Sequence, residues 1–141
     1  MKSVNPYLMF NGKAEEAFTF YQSLFGGELQ LIRFGDMGEG ANLPDEAKSL
    51  VAHTALPLNG TDQILMGSDC PPGQTVEVPA RPNFTVCLEV SSTDEAERVF
   101  DALATGGTVD MELAKTEWTD LFAMVTDRYS VPWMIDYSAP K

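Results

Sequence analysis

The sequence predicts an α+β fold of two tandem βαβββ modules, and three observations predict it. A helical segment occurs twice: Ala17, Phe20, Tyr21, Leu24 and Gly27 recur as Ala96, Val99, Phe100, Leu103 and Gly106, at a constant spacing of 79 residues. Both copies close on paired glycines, Gly26-Gly27 and Gly106-Gly107, the residue type that ends a helix in the left-handed region. Each copy is preceded by one strand-like segment and followed by three. Such a duplication sets an architecture without naming a reaction, because function belongs to a site carried on the fold.

Residues 4–10 alternate and are rich in large apolar side chains, which reads as a strand ending at the turn dipeptide Asn11-Gly12. In the first helix Ala17, Phe20, Tyr21 and Leu24 fall at i, i+3, i+4 and i+7, while Glu15 and Glu16 sit near the positive N-terminal end. Residues 28–35 read as a second strand. Residues 35–48 hold three glycines, one proline and four acidic residues without periodicity, so a mobile loop, the best lid candidate, is expected there. Residues 50–58 and 63–68 complete the first module as two strands joined across Asn59-Gly60. Residues 70–82 contain four prolines and a glycine, which marks a connector. The second module follows: a strand at 83–90, a helix capped by Thr93, and strands at 108–113, 121–126 and 131–137, the last two separated by the turn Asp127-Arg128-Tyr129-Ser130. Eight strands and two helices are expected in one domain, with module one at 1–70, a connector at 71–82 and module two at 83–141.

With 44% apolar residues, the 141-residue chain has enough material for a core. Nine basic residues scattered among 21 acidic ones give a net charge of -12, which argues against a nucleic-acid partner, since phosphate is gripped by clustered Lys and Arg. Residues 7–10 are too short for a signal core, and no run approaches the roughly 18 apolar residues of a membrane span. A cytoplasmic protein without a membrane partner is therefore expected. Cys70 and Cys87 are expected as reduced thiols packed as small hydrophobes, and the sequon Asn83-Phe84-Thr85 has no meaning without secretion.

Several blocks carry a family resemblance: Pro6-Tyr7-Leu8, Phe10, Gly12, Glu16-Ala17, Phe20-Tyr21, Phe34-Gly35-Asp36-Met37, Ala52-His53, Met66-Gly67-Ser68-Asp69 and, most specifically, the run from Val125 through Asp127-Arg128-Tyr129-Ser130 to Ile135. Over its whole length the chain resembles the PhnB-like group of the vicinal oxygen chelate superfamily, which includes glyoxalase, extradiol dioxygenases and bleomycin-resistance proteins. The resemblance implies a glyoxalase-like, curved eight-stranded sheet with a cup, a small-molecule ligand and a homodimer. Tyr129-Ser130 stands where the family usually shows Phe-Gly. Nothing resembles a Gly-rich loop for S-adenosylmethionine, so methyl transfer is not expected.

The resemblance also implies where a metal would be held: four inward His or Glu ligands, on the first and last strands of each module. Counting back from Phe20-Tyr21 reaches Pro6, the fourth strand offers Met66, the fifth Thr85 and the eighth Met134; Pro6 and Thr85 also differ by 79. None of these is an imidazole or carboxylate donor, so neither a metal nor any other cofactor is expected.

What remains are candidate ligand-binding residues. His53, the sole histidine, is a candidate acid or base that a carboxylate such as Asp69 would poise; the alternative is a histidine hydrogen-bonded on a sheet surface. Ser68 and Asp69 supply polar contacts at the pocket mouth or simply begin the connector. Trp118, Phe122 and Trp133 line the cup or fill the core, as do Met9, Met37, Met66, Met124 and Met134. Thr85 and Cys87 share a face by alternation. Two classes of function follow. One is a metal-free binding protein for a small apolar or aromatic molecule, contacted through His53, Met66, Ser68, Asp69, Thr85, Trp118, Phe122 and Met134. The other is a lyase, isomerase or dioxygenase-like enzyme using a metal at unconventional positions or His53 as base.

Overall fold

A computed structural model describes residues 1–38, 42–79 and 82–140. The element order is β1 (Tyr7–Phe10), α1 (Ala14–Phe25), β2 (Gln30–Arg33), a 3-10 turn (Phe34–Asp36), α2 (Asp45–Lys48), β3 (Val51–Pro57), β4 (Ile64–Asp69), β5 (Val86–Glu89), α3 (Thr93–Ala104), β6 (Thr108–Ala114), β7 (Leu121–Thr126) and β8 (Pro132–Tyr137). The eight expected strands are present, hydrogen-bonded as two four-stranded sheets in the orders β1-β4-β3-β2 and β5-β8-β7-β6. In each sheet the first and last strands of the module pair in parallel and the other pairings are antiparallel. The chain divides into two compact units, Met1–Glu77 and Val78–Lys141.

In the first unit the apolar stripe of α1 lies on one face of its sheet. Ala14, Ala17, Phe18, Tyr21 and Leu24 are buried with Leu8 and Phe10 of β1, Val51 and Leu56 of β3 and Leu65 of β4, and Phe18 packs edge-on against both Phe10 and Tyr21. Each large side chain removed from water in this way contributes about 1.5–3 kcal/mol. Close approach of the helix depends on Gly67: a Cβ there would lie 2.6 Å from the Leu8 carbonyl oxygen and 2.7 Å from Phe18 Cε1. The expected glycine stop is present, with Gly26 at φ 75° donating its N–H to the Gln22 carbonyl.

The N-terminus of α1 has no side-chain cap from its preceding residue, Lys13. Its partner is distant in sequence. Asp69, 3% exposed at the end of β4, accepts the Ala14 N–H at 3.0 Å on Oδ1 and the Val51 N–H at 2.9 Å on Oδ2. One carboxylate thus ties together the start of α1, the start of β3 and the end of β4, and it meets the positive end of the helix dipole.

The second unit repeats the plan with different polar fittings. Ala96, Val99 and Leu103 of α3 are buried with Ala123, Val125, Trp133 and Ile135. The cap of α3 is Ser92, one residue before the expected Thr93: Ser92 Oγ accepts the Glu95 N–H, and Glu95 reaches back to the Ser91 N–H. At the β7–β8 turn Asp127 accepts the N–H groups of Tyr129 and Val131 and the indole N–H of Trp133. Ser130 there adopts φ 69°, the left-handed conformation that the family's glycine adopts without strain.

Residues 35–48, expected as an irregular loop, begin in the 3-10 turn and end in α2, a single turn closed by the Lys48–Asp45 ion pair. The middle of that lid candidate, residues 39–41, lies outside the described residues, as do residues 80 and 81 of the connector. Among the described residues no helix is long and apolar enough to cross a membrane.

Two substitutions test this packing. Asp69→Ala, which leaves two buried backbone donors without an acceptor, is expected to lower the unfolding free energy by on the order of 2–4 kcal/mol, with Asp69→Asn losing less; chemical denaturation measures both. Gly67→Ala is expected to cost about 1–3 kcal/mol through overpacking.

Candidate functional site

The face of the first sheet turned away from α1 is built by strand register. Tyr7 pairs with Met66, Met66 with Ala55 and Ala55 with Gln30, so these four stand in one row across the sheet. The next row holds Met9 opposite Ser68 and His53 opposite Ile32. Residues paired across a ladder point to the same side, and the intervening residues Leu8 and Leu65 are those buried against α1. The open face therefore mixes apolar side chains with Gln30, His53 and Ser68 and is partly exposed, with Tyr7, Met9 and Ile32 at 44%, 42% and 49% exposure.

His53 is half-buried within it. Its ring lies nearly parallel to that of Tyr7, with centroids 5.7 Å apart and planes 28° apart, and the Tyr7 hydroxyl is 3.1 Å from Nδ1. When Tyr7 donates in that contact, Nε2 carries the imidazole proton, so the pair offers an N–H donor beside two aromatic rings. The Ser68 hydroxyl donates to Met9 Sδ at 3.5 Å. Met66, half-buried, lies between the strands of the pair.

Asp69 requires a correction. It was expected to touch ligand or to poise His53, but it lies on the α1 side of β4, paired with Phe10, and both its oxygens accept from backbone N–H groups. The expected position Pro6 is also displaced. Pro6 precedes β1 and its carbonyl accepts the Met66 N–H, while Tyr7 is the residue that faces Met66 on the open side. The buried alternation of Leu8 and Phe10 was the signal that could have found Tyr7 and Met9.

At the edge of this sheet Arg33 donates both Nη1 and Nη2 to the Glu15 carboxylate, at 3.0 and 2.7 Å, and Nη1 also to the Ser49 carbonyl. The hydrogen bond from Arg33 holds the Glu15 carboxyl below its ordinary value. That cation is engaged by protein groups, and the pair is exposed enough that salt screens it.

The second sheet presents a different open face. One row runs Cys87, Met134, Met124, Met111 and the next Glu89, Asp136, Phe122, Ala114. Met134 and Phe122 stand on this face; Thr85, expected on the fifth strand, instead lies one residue before β5 begins. Phe122 is buried and packs edge-on against Trp118, which is 69% exposed, with centroids 5.6 Å apart. A cavity of about 270 Å³ is lined by Glu89, Val90, Asp136 and Ser138, a polar and acidic lining that does not suit an apolar ligand. Thr119 meets Asp136 Oδ1 through its hydroxyl. Both cysteines are free thiols, Cys70 buried and Cys87 exposed. Partial burial, reinforced by Asp136 and Glu89, pushes the Cys87 thiol up.

A divalent metal of the kind the superfamily employs does not fit these residues. Among the described residues no group of three or more His, Cys, Asp or Glu side chains is arranged to hold a metal ion, and Met66 and Met134 present thioethers where imidazole or carboxylate is needed.

A family model described as 3-demethylubiquinone-9 3-methyltransferase matches residues 2–136. Protein YjdN of Escherichia coli (strain K12) is 34% identical over 145 residues, covering 94% of this chain and 93% of its own. Among solved structures, protein PA1353 of Pseudomonas aeruginosa is 36% identical with a TM-score of 0.84, covering 99% of this chain and 100% of its own. The PhnB protein of Bacillus cereus is 27% identical with a TM-score of 0.73, covering 97% and 100%. Below 25% identity, a glyoxalase family protein of Bacillus cereus and the fosfomycin resistance protein FosX of Listeria monocytogenes share the fold, with TM-scores of 0.66 and 0.65.

Two measurements follow from this geometry. His53→Ala is expected to fold normally, its melting temperature within a few degrees of the parent by calorimetry, because the ring is half-buried and no buried group loses its partner. In a Cys70→Ser background, alkylation of Cys87 is expected to be slow at pH 7 and to accelerate only above the ordinary thiol range of about 8.5, since the raised pKa keeps the thiol protonated; a midpoint below that range would contradict the environment described.

Proposed function

The chain belongs to the family described as 3-demethylubiquinone-9 3-methyltransferase, the PhnB-like group of the vicinal oxygen chelate superfamily, and from that premise we propose that it binds a small apolar or aromatic molecule without a metal, on the open face of its first sheet. The observation that carries this reading is the stacked, hydrogen-bonded Tyr7–His53 pair set among Met9, Ile32 and Met66. Aromatic rings and thioethers offer a surface that adapts to flat apolar shapes, and the imidazole N–H adds one directional contact to an acceptor on the ligand. The net charge of -12 favours neutral molecules over anions.

Methyl transfer, the activity in the family's description, is not part of the reading. A nucleotide-type cofactor is gripped at a Gly-rich turn opening onto a helix N-terminus. Here the β1–α1 turn carries a single glycine, Gly12, and the Asp69 carboxylate already fills the α1 N-terminus. The reading also takes the chain to be a homodimer, for which light scattering of the purified protein should return twice 15.4 kDa.

The test is a thermal-shift and NMR titration with a panel of neutral monocyclic and bicyclic aromatic compounds. Saturable binding that His53→Ala and Tyr7→Ala both weaken at least roughly tenfold, about 1.4 kcal/mol, is the expected result. Binding unchanged in both variants would reject this face. Stoichiometric nickel, zinc, manganese or iron in the untagged protein, by elemental mass spectrometry, would reject the metal-free reading.

A further inference from the structure

The open face of the second sheet carries a run of sulfur that the aromatic-ligand reading does not use. Cys87 of β5 pairs with Met134 of β8, and Met134 pairs with Met124 of β7, so three sulfur side chains stand side by side on three successive strands. Met111 of β6 extends the row to a fourth. We propose that Cys87, Met134 and Met124 form a binding site for a soft monovalent metal ion, with Cu(I) the occupant.

Neighbouring strands lie about 4.8 Å apart, and facing side chains project from the same surface. The unbranched methionine side chain has three rotatable bonds, enough for the outer sulfurs to lean toward the central one and meet a single ion. Met134 and Met124 are half-buried and Cys87 is exposed, so the row is sheltered yet reachable from solvent. Thiolate and thioether donors select Cu(I) and its analogue Ag(I) over hard or borderline divalent ions, which distinguishes this site from a divalent centre built on imidazole and carboxylate. Glu89 and Asp136 occupy the next row on the same face, and their negative charge draws a cation toward the sulfurs. On binding, the Cys87 S–H bond breaks and its proton passes to solvent as the metal–thiolate bond forms. The thioethers donate lone pairs, and no atom is oxidised or reduced.

The test is an anaerobic titration of the full chain with Cu(I), in competition with a chromophoric Cu(I) chelator. One equivalent is expected to bind. Cys87→Ser should abolish binding, and Met134→Leu and Met124→Leu should each weaken it at least tenfold, roughly the loss that even outer-shell changes bring to metal sites. Cys70→Ser and His53→Ala should leave it unchanged, so the site stands or falls independently of the aromatic-ligand face. Because Met→Leu nearly conserves volume, these variants are expected to fold. A readout on the unaltered chain accompanies them: Ag(I) should shift the methyl NMR resonances of Met134 and Met124 but not those of Met9 and Met66. A parent protein that fails to compete for Cu(I), an affinity retained in the Met134→Leu/Met124→Leu double variant, or an Ag(I) titration that leaves both methyl signals in place would each overturn the proposal.

Discussion

The Asp69 carboxylate is the interaction on which the first unit depends. It lies on the helix side of the sheet, at the point where β4, β3 and the start of α1 converge, and its two oxygens meet one backbone donor from each of the other two elements. Without it, the first turn of α1 would present an unpaired N–H to an apolar interior, and the entry to β3 would do the same. With it, the end of β4 is tied to the start of β3 and to the start of α1. The alternation along β4 follows: Leu65, Gly67 and Asp69 toward the helix, Met66 and Ser68 toward the open face. The Tyr7–His53 pair and this buried carboxylate thus stand on opposite sides of one sheet.

The second unit solves the same problem by other means. Its helix is capped locally by Ser92 with Glu95, and its buried aspartate, Asp127, secures the β7–β8 turn and the Trp133 indole. The duplicated architecture has kept its hydrophobic layout while its polar supports moved. The open faces diverged with them, one carrying the only histidine of the chain against a tyrosine, the other a row of sulfur beside two carboxylates. A repeat of backbone plan therefore does not entail a repeat of chemistry.

The helices were legible because their signal is local: Ala17, Tyr21 and Leu24, like Ala96 and Leu103, repeat at helical spacing and are buried as that spacing requires. The expected α+β architecture rests on the same signal and holds. The first strand falls within its expected bounds, but the residue facing Met66 is Tyr7, one later than the expected Pro6. The spacing of 79 that relates the helices does not carry into the strands, where Tyr7 and Cys87, the residues facing Met66 and Met134, stand 80 apart. A strand has a period of two, so that single residue exchanges the open face for the helix face. The turns between strand and helix, Asn11-Gly12-Lys13 in one unit and Val90-Ser91-Ser92 in the other, are equal in length and differ in composition. The role of Asp69 was illegible for a different reason: its partners lie 55 and 18 residues away, beyond any local pattern. Asp45–Lys48 makes a single helical turn, too short to leave a periodicity in the sequence.

Parallel pairing of the first and last strands has a consequence for the order in which the polypeptide can acquire structure. As the chain emerges from the ribosome, β1 has no neighbour in its sheet until β4 is made, because β4 separates it from β3. The residue that secures the start of α1 is the final residue of that same strand. A nascent first half that stops short of Asp69 therefore lacks the centre of its sheet and the fastening of its helix together, and one more strand supplies both. Folding of the first half is in this sense gated by its own completion, with the last strand translated acting as the latch rather than as a late addition to a finished scaffold.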